Sequence, residues 1–390
     1  MGQLNQRPKR LSGTKLGWTV PLVSLDDVGL SHMGQFLELS ELFQGDGKRD
    51  RPFTMRAVLC REFGPRAELR IEEVAAPIPR EDEVLITVEA CGVNFFDGLV
   101  VEGKYQTRPD RPFSPGSEVA GVVTAVGQHV TTITKGMRVL GFAGFGGYAE
   151  QAVVPAPHVF PIPDEMSFVE AAGFLITYGT SHHALKDRAQ IAPGETLLVL
   201  GAAGGVGLTA VELGKCMGAR VIAAASTDEK LALCRAYGAD ETINYSSEDL
   251  RQRVKDITDG RGVDVIYDPV GGPMTETALR SLALFGRHLV IGFAAGEIPK
   301  VPLNLLLLKQ SSLIGVFWGA HARATPSKNA GNIAELLRWF AEGKLKPHIF
   351  ASYPIDHFSE ALDLVMERTV QGKVVLTTAN DRIHKDKVSE

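Results

Sequence analysis

Leu197-Leu198-Val199-Leu200, running without a break into Gly201-Ala202-Ala203-Gly204-Gly205-Val206-Gly207, is the stretch whose reading decides the fold. A strand over Thr196 to Leu200 enters a glycine-rich turn, and a helix carrying Leu208, Val211, Leu213 and Lys215 leaves it and runs to Gly218. In that setting each glycine has a mechanical task. Gly204 lets the backbone approach a diphosphate, Gly207 lets the helix pack tightly on the strand, and the helix start offers unpaired N–H groups to an anion. Ala202 stands where the strict G-x-G-x-x-G pattern has its first glycine, so the motif departs from the ideal. Glycine turns also serve helix capping and close packing. A dinucleotide role is expected here because the turn sits between a strand and a helix inside an alternating βαβ rhythm.

That rhythm continues outward. The second strand, Arg220 to Ala225, ends without the carboxylate that an NAD-preferring site places there for the ribose 2′-hydroxyl. Ser226, Thr227 and Lys230 follow instead, so NADPH is the expected cofactor. Asp228 argues the other way, but it falls past the expected position and reads as the first residue of a helix. Strands near Thr242 to Tyr245, Val263 to Asp268 and Arg287 to Gly292 complete a parallel, doubly wound α/β sheet.

Upstream, the chain reads as short strands broken by Gly and Pro: Met55 to Arg61, Leu69 to Val74, Glu83 to Val93, Val119 to Val126, Arg138 to Phe142 and Tyr148 to Val154. Beyond Pro326, helices at Asn329 to Glu342 and Ser359 to Glu367 and a last strand, Gly372 to Thr377, return to that first character. The nucleotide domain, residues 181–321, is therefore expected as an insertion in a mostly-β domain made of residues 55–180 and 322–378. Residues 1–54 are expected to be an extension, either a disordered tail or a product of start-site choice ahead of Met55, with an organelle presequence as the lesser alternative. Residues 379–390 form a polar tail.

Bulk properties exclude several classes. With 44% apolar and 22% charged residues in 390, the composition is that of a globular protein. A net charge of -5 gives no field that would recruit nucleic acid or an anionic membrane. Apolar runs such as Leu303 to Leu308 fall far short of the roughly 18 residues of a membrane span. Cys60, Cys91, Cys216 and Cys234 form no C-x-x-C pair, so neither a metal lobe nor a disulfide framework is signalled, and a reducing, cytoplasmic setting suits them.

Four segments, in order, carry a family resemblance: Gly92-Val93-Asn94-Phe95-Phe96-Asp97, Pro115-Gly116-Ser117-Glu118-Val119-Ala120-Gly121, Gly201 to Gly207, and Gln371-Gly372-Lys373-Val374-Val375. From Met55 to about Thr377 the chain resembles the zinc-free quinone oxidoreductase branch of the medium-chain dehydrogenase/reductase superfamily. Pro302 to Lys309, leading to Val316-Phe317-Trp318-Gly319, narrows the match toward the quinone-oxidoreductase-like proteins. The resemblance implies a GroES-like, mostly-β catalytic domain with an inserted Rossmann domain. Zinc alcohol dehydrogenases of the superfamily carry Cys where Asn94 stands and His where Ser117 stands, and neither replacement is a good zinc ligand, so no metal is expected. Glu118 matches a Gly-x-Glu remnant, for which hydrogen bonding to nearby backbone is the plain role.

By the same resemblance Asn94 and Thr177 lie near the nicotinamide, and Lys230, Tyr245 and Arg368 surround the adenosine 2′-phosphate. Ala203, Gly204, Gly205, Val206, Gly207, Ser226, Val270, Gly292 and Phe293 complete the expected cofactor contacts, with Asp268-Pro269-Val270-Gly271-Gly272 as the bordering loop. Two cations and a phenol converging on a dianion are physically sensible. Surface packing explains Tyr245 or Arg368 equally well when each is taken alone. A homodimer is implied, with Leu313 to Phe317 as its edge.

Hydride transfer belongs to the nicotinamide, so the protein has mainly to orient it and exclude water. A quinone acceptor needs no dedicated acid. An enone or enoyl acceptor gains from a hydroxyl near the enolate, and Tyr105 is the candidate, against the alternative of a ring packed at a lobe boundary. The readings are thus a quinone or α,β-unsaturated carbonyl reductase, an enoyl-thioester reductase, and a nucleotide-binding structural or RNA-associated protein with little turnover. His182-His183 invites a metal, but adjacent helical residues face different ways, and helix surface and core is the expected placement.

Overall fold

The computed structural model describes residues 53–378 and a short strand at His384–Lys385. The extension up to residue 52 and most of the polar tail lie outside the described residues. Five consecutive side chains of one strand, Thr196 to Leu200, are buried. Leu197 and Val199 enter one apolar cluster while Leu198 and Leu200 enter another on the opposite sheet face. Period-two alternation with both faces covered is the signature of a central parallel strand, and burial of each such leucine is worth roughly 1.5–3 kcal/mol.

Seven strands precede it: β1 (Thr54–Leu59), β2 (Arg70–Ala75), β3 (Glu83–Val93), β4 (Glu118–Val126), β5 (Arg138–Phe142), β6 (Gln151–Pro155) and β7 (Val159–Pro161). Thr196–Leu200 is β8, followed by β9 (Arg220–Ala225), β10 (Glu241–Asn244), β11 (Val263–Asp268), β12 (Leu282–Val290) and β13 (Ser312–Gly315). The last are β14 (Ile349–Pro354), β15 (Lys373–Thr377) and β16 (His384–Lys385). Strands β8 to β13 form a six-stranded sheet in the order β10-β9-β8-β11-β12-β13, parallel throughout. The chain moves outward from β8 through β9 to β10 and then returns to place β11 on the other side of β8. That reversal creates a crevice at the carboxyl ends of β8 and β11, where open α/β sheets bind ligands.

The second large sheet runs β16-β14-β15-β3-β4-β5-β7, with β6 also pairing β3. Strands from both ends of the chain share it: β15 lies antiparallel to β3, with Val374 opposite Val93. The α/β architecture is thus a GroES-like mostly-β domain interrupted by a Rossmann sheet.

Eleven α-helices occur among the described residues: α1 (Phe95–Val101), α2 (Phe168–Ala172), α3 (Leu175–His182), α4 (Gly205–Cys216), α5 (Asp228–Ala236), α6 (Leu250–Ile257), α7 (Met274–Arg280), α8 (Asn304–Lys309), α9 (Trp318–Ala324), α10 (Pro326–Ala341) and α11 (Phe358–Met366). A π-helical stretch, His183–Ala189, prolongs α3. Local chemistry sets several starts. Thr227 caps α5 by accepting from Lys230 N–H, and Ser167 with Glu170 forms a reciprocal capping box on α2.

Three expectations need correction. β12 begins at Leu282, ahead of the expected Arg287: Leu282 pairs with Val263, a bulge with Phe285 at a positive φ of 64° follows, and the ladder resumes at Arg287 opposite Val265. The last strand before β7 starts at Gln151, leaving Tyr148 in the preceding turn, fully buried. His182 and His183 are both buried, so neither is helix surface. His182 bonds Glu335 at 2.7 Å, while His183 bonds Asp187 at 2.8 Å and stacks on His321 at 3.9 Å. Asp187 is already met by Lys328 and Asn332, each at 2.9 Å. All four cysteines are free, and only Cys216 is exposed. No helix of the described residues is long and apolar enough to cross a membrane.

Candidate active site

The glycine turn after β8 is shaped by two different constraints. A Cβ on Gly207 would stand 2.3 Å from the carbonyl oxygen of Gly201 and 2.9 Å from Ala202 Cα, so the close approach of α4 to the turn admits only glycine. Gly204, the N-cap of α4, has an ordinary backbone with φ -74° and ψ 170°, and a Cβ there would meet only Gly201 O at 3.4 Å. The protein's own packing does not require a glycine at 204. What the missing side chain leaves open is the approach to the N–H groups at the start of α4, where an anion is favoured.

The crevice is walled by the loop after β11. Val270 Cγ2 lies 2.9 Å from where a Gly201 Cβ would be, and Phe293 Cδ1 lies 2.8 Å from the corresponding point on Gly271. Gly292 follows β12, its N–H directed at the Asp268 carbonyl. Asp268 organises this wall. It accepts from the N–H groups of Val270 and Gly271 at 2.9 Å, from Thr275 Oγ1 at 2.7 Å and pairs with His288 Nε2 at 3.1 Å. Burial pushes its carboxyl up, but His288 and the other partners outweigh that and hold it below the usual carboxylate range. The loop's one acid is thus committed to the loop's own N–H groups, Thr275 and His288, while the Val270 side chain faces the glycine turn.

At the tip of β9, Ser226 accepts from Lys230 Nζ at 3.5 Å and shares a hydrogen bond with Tyr245. Lys230 also reaches the carbonyl of Arg368 at 3.5 Å, and that residue adopts a positive φ of 63°. The structure thus brings Ser226, Lys230, Tyr245 and the Arg368 backbone together. The Arg368 guanidinium lies instead over the Phe95 ring, 5.8 Å from its centroid. Asp228 is the first residue of α5 and accepts from Asn244 Nδ2 at 2.9 Å, so β9 ends without a carboxylate facing the crevice.

The β-rich side supplies a buried polar cluster. Asn94 caps α1, its N–H donating to Asp97 Oδ2 at 2.9 Å. Its Nδ2 donates to Glu118 Oε1 at 3.0 Å and, more weakly, to Gly92 O at 3.4 Å; its Oδ1 accepts from Lys373 Nζ at 2.8 Å. Glu118 Oε1 also accepts from Lys373 at 2.7 Å, and Oε2 accepts from Ile176 N–H at 2.9 Å. Asp97 accepts from Ser117 Oγ at 2.9 Å and from Tyr148 OH at 3.4 Å. Burial raises the Asp97 carboxyl to about 6, against the hydrogen bonds from Asn94 and Ser117 and the pull of Lys373.

Thr177 joins this cluster through α3. Its hydroxyl donates to Gly173 O at 2.8 Å, and its methyl lies 3.3 Å from where a Gly205 Cβ would be. Tyr105 stacks on Phe96 with centroids 5.4 Å apart. Burial pushes its phenol up, with the charge of Asp97 adding and that of Arg323 opposing. A phenol so placed stays protonated and can donate.

Lys373, Asp97 and Tyr148 were not singled out from sequence. The Asn94-x-x-Asp97 spacing is that of a capping box, and a lysine opening an otherwise apolar strand, Lys373 to Thr377, is the kind of buried charge that demands partners.

Comparison with known proteins fits this geometry. The family model of the alcohol dehydrogenase GroES-like domain matches residues 80–164, and that of zinc-binding dehydrogenases matches residues 205–341. A quinone oxidoreductase-like protein 2 homolog of Nematostella vectensis is 41% identical over 326 residues, which cover 83% of this chain and 89% of the relative. The chain belongs to the quinone oxidoreductase branch of the medium-chain dehydrogenase/reductase superfamily. Within that branch, human quinone oxidoreductase is 34% identical over 83% of this chain and 97% of its own length. The crystal structure of Escherichia coli quinone oxidoreductase complexed with NADPH superposes with a TM-score of 0.77 at 30% identity, covering 83% of this chain and 99% of that one. The branch is one of oxidoreductases.

Proposed function

We propose that this chain is an NADPH-dependent, zinc-independent reductase of quinones and related α,β-unsaturated carbonyl compounds. The observation that carries the reading is Gly204: a glycine that packing does not demand, at the start of a helix, beside a strand tip where Ser226, Lys230 and Tyr245 gather and no carboxylate faces the crevice. The donor set fits the group. The start of α4 would hold the diphosphate, Ser226, Lys230 and Tyr245 the 2′-phosphate, and Val270, Gly292 and Phe293 the crevice wall.

Bound NADPH supplies the hydride. The chain's contribution is orientation and exclusion of water. Thr177 packs against Gly205 at the start of α4, and Tyr105 stacks on Phe96 of α1, the helix that Asn94 caps. Tyr105 keeps its proton under the combined influence of burial and Asp97, so it can donate to an oxygen that gains charge as the acceptor is reduced.

A catalytic zinc does not suit the residues present. The Asn94 amide donates to Glu118, the single proton of the Ser117 hydroxyl lies between the Asp97 carboxylate and the Gly144 carbonyl, and the ammonium of Lys373 stands against Glu118. An ion would have to displace a fixed positive charge and be held by an amide and a hydroxyl. We further propose a homodimer through β13, the edge of the parallel sheet, whose Leu313 is exposed beside Phe317.

The test is NADPH oxidation with 1,2- and 1,4-quinones, enones and enoyl thioesters, set beside NADPH binding without an acceptor. Turnover with quinones or enones is expected. Turnover confined to enoyl thioesters would reassign the substrate, and saturable binding without turnover would leave a nucleotide-binding protein.

A further inference from the structure

The side chain of Lys373 is 7% exposed, yet it ends in an ammonium. Its three protons meet three acceptors: Val93 O at 3.1 Å, Asn94 Oδ1 at 2.8 Å and Glu118 Oε1 at 2.7 Å. A buried cation is tolerated only when it is paired in this way, and saturation of all three donors leaves it no freedom to move. The stem of the same side chain runs past the glycine turn. Its Cδ is 3.3 Å from where a Gly205 Cβ would be, and the N–H of the preceding residue, Gly372, donates to Ala203 O at 2.8 Å. Lys373, Thr177, Gly205 and Gly372 also line a common void of about 10 Å³, room for a single water.

We propose that Lys373 is the positioning residue that ties the glycine turn to the Asn94 cluster, its ammonium acting as the fixed cation of the site. This rests on the reading that the turn holds NADPH and that Asn94 lies at the nicotinamide end. The ammonium dictates which way the Asn94 carboxamide faces. Oδ1 must turn to Lys373 and Nδ2 to Glu118, because the reverse arrangement would set an amide donor against the ammonium and an amide oxygen against the carboxylate. Glu118 passes the constraint to α3 through Ile176 N–H, the residue before Thr177. One side chain therefore fixes the distance between the diphosphate end of the crevice and the residues at its reactive end. The role is one of placement, and Lys373 transfers no proton.

The experiment uses the full chain with Lys373→Ala and four readouts: NADPH affinity, the emission of bound NADPH, turnover with a quinone, and thermal melting. Loss of placement at the reacting centre is expected to lower kcat about 100-fold, while NADPH affinity stays within about threefold, since Ser226, Lys230 and Tyr245 at the 2′-phosphate end are untouched and the lost ammonium contacts no phosphate-binding group. The emission of the bound nucleotide, which reports how its ring is held, is expected to move toward that of free NADPH. Propylammonium, which restores the cation without the chain, is expected to recover both emission and at least about tenfold of the rate, whereas neutral propanol is not.

Should Lys373→Ala fail to fold, the double variant Lys373→Met with Glu118→Gln replaces the ion pair by a neutral one of similar volume. It is expected to melt like the parent and bind NADPH, with kcat still reduced about 30-fold or more. Parent-like turnover in either variant overturns the proposal, as does a folded Lys373→Ala that binds NADPH but gains nothing from propylammonium. If the parent itself does not bind NADPH, the functional reading fails instead, and the two failures are distinct.

Discussion

Replacing Gly204 with alanine separates the glycine kept for a ligand from the glycine kept for the fold. At 204 the backbone is ordinary and the nearest atom to a new Cβ is 3.4 Å away, so the folded protein loses nothing. Alanine at a compatible backbone position commonly stabilises by about 0.4–1 kcal/mol through the unfolded state. Melting should therefore hold steady or rise by about 1–4 °C. The same methyl would stand where a diphosphate must approach. Forcing a methyl into a close-packed contact costs roughly 1–3 kcal/mol, which is about 5- to 150-fold in Kd. At Gly207, by contrast, the Cβ would lie 2.3 Å from Gly201 O, and since that atom is backbone the turn itself must move. Gly207→Ala should lower stability by roughly 1–3 kcal/mol or more and weaken NADPH as well. Fluorescence titration with NADPH and thermal melting of the two variants check both halves. Unchanged NADPH affinity in a well-folded Gly204→Ala would refute the assignment of the turn, and equal losses of melting temperature in the two variants would refute the packing argument.

Lys230→Ala should narrow the preference for NADPH over NADH by about tenfold, the low end for a charge-assisted contact near the surface; paired titrations measure it, and equal affinities in the parent would remove the 2′-phosphate argument. Asp97 has a folded value of about 6 against an ordinary 3.8, so its protonated form favours the native state below about pH 4, and that contribution fades as pH rises through 6. Asp97→Asn should flatten the stability profile across this window, which denaturant melts at several pH values will show; a slope identical to the parent's would count against it. Turnover should survive chelation with no stoichiometric zinc by metal analysis, and a full equivalent of zinc would reverse that expectation. At micromolar concentration the chain should sediment as a dimer, Leu313→Lys should shift it toward monomer, and a parent that sediments as monomer would remove the edge assignment.

The parallel sheet was legible because each of its signals is local. An apolar run, a glycine cluster and a following helix are adjacent in sequence, and β8, β9 and β11 fall on the residues expected for them. The start of β12 was not legible because the bulge between Leu282 and Arg287, with Phe285 at a positive φ, interrupts the ladder that marks a strand. The candidate site was half legible. Asn94 and Thr177 could be named from the family resemblance and Ser226 from its place after the second strand, but the commitments of their polar atoms could not. Lys373 meets Glu118 across 255 positions, and a partnership at that range leaves no trace in spacing. The fate of Arg368 was equally hidden, since its guanidinium and its carbonyl serve different neighbours.

The pairing of β15 with β3 joins residues some 280 positions apart and bears on how the molecule is made. As the polypeptide leaves the ribosome, β3 emerges early, and although β4 and β6 can pair with it soon after, its segment from Ala90 to Val93 must wait for β15 until nearly the whole chain has been synthesised. The parallel sheet, drawn from one continuous middle segment, can close meanwhile. A premature stop just before Gly372 would leave that half formed, remove Lys373 from between Asn94 and the glycine turn, and expose a strand edge prone to pair with other chains.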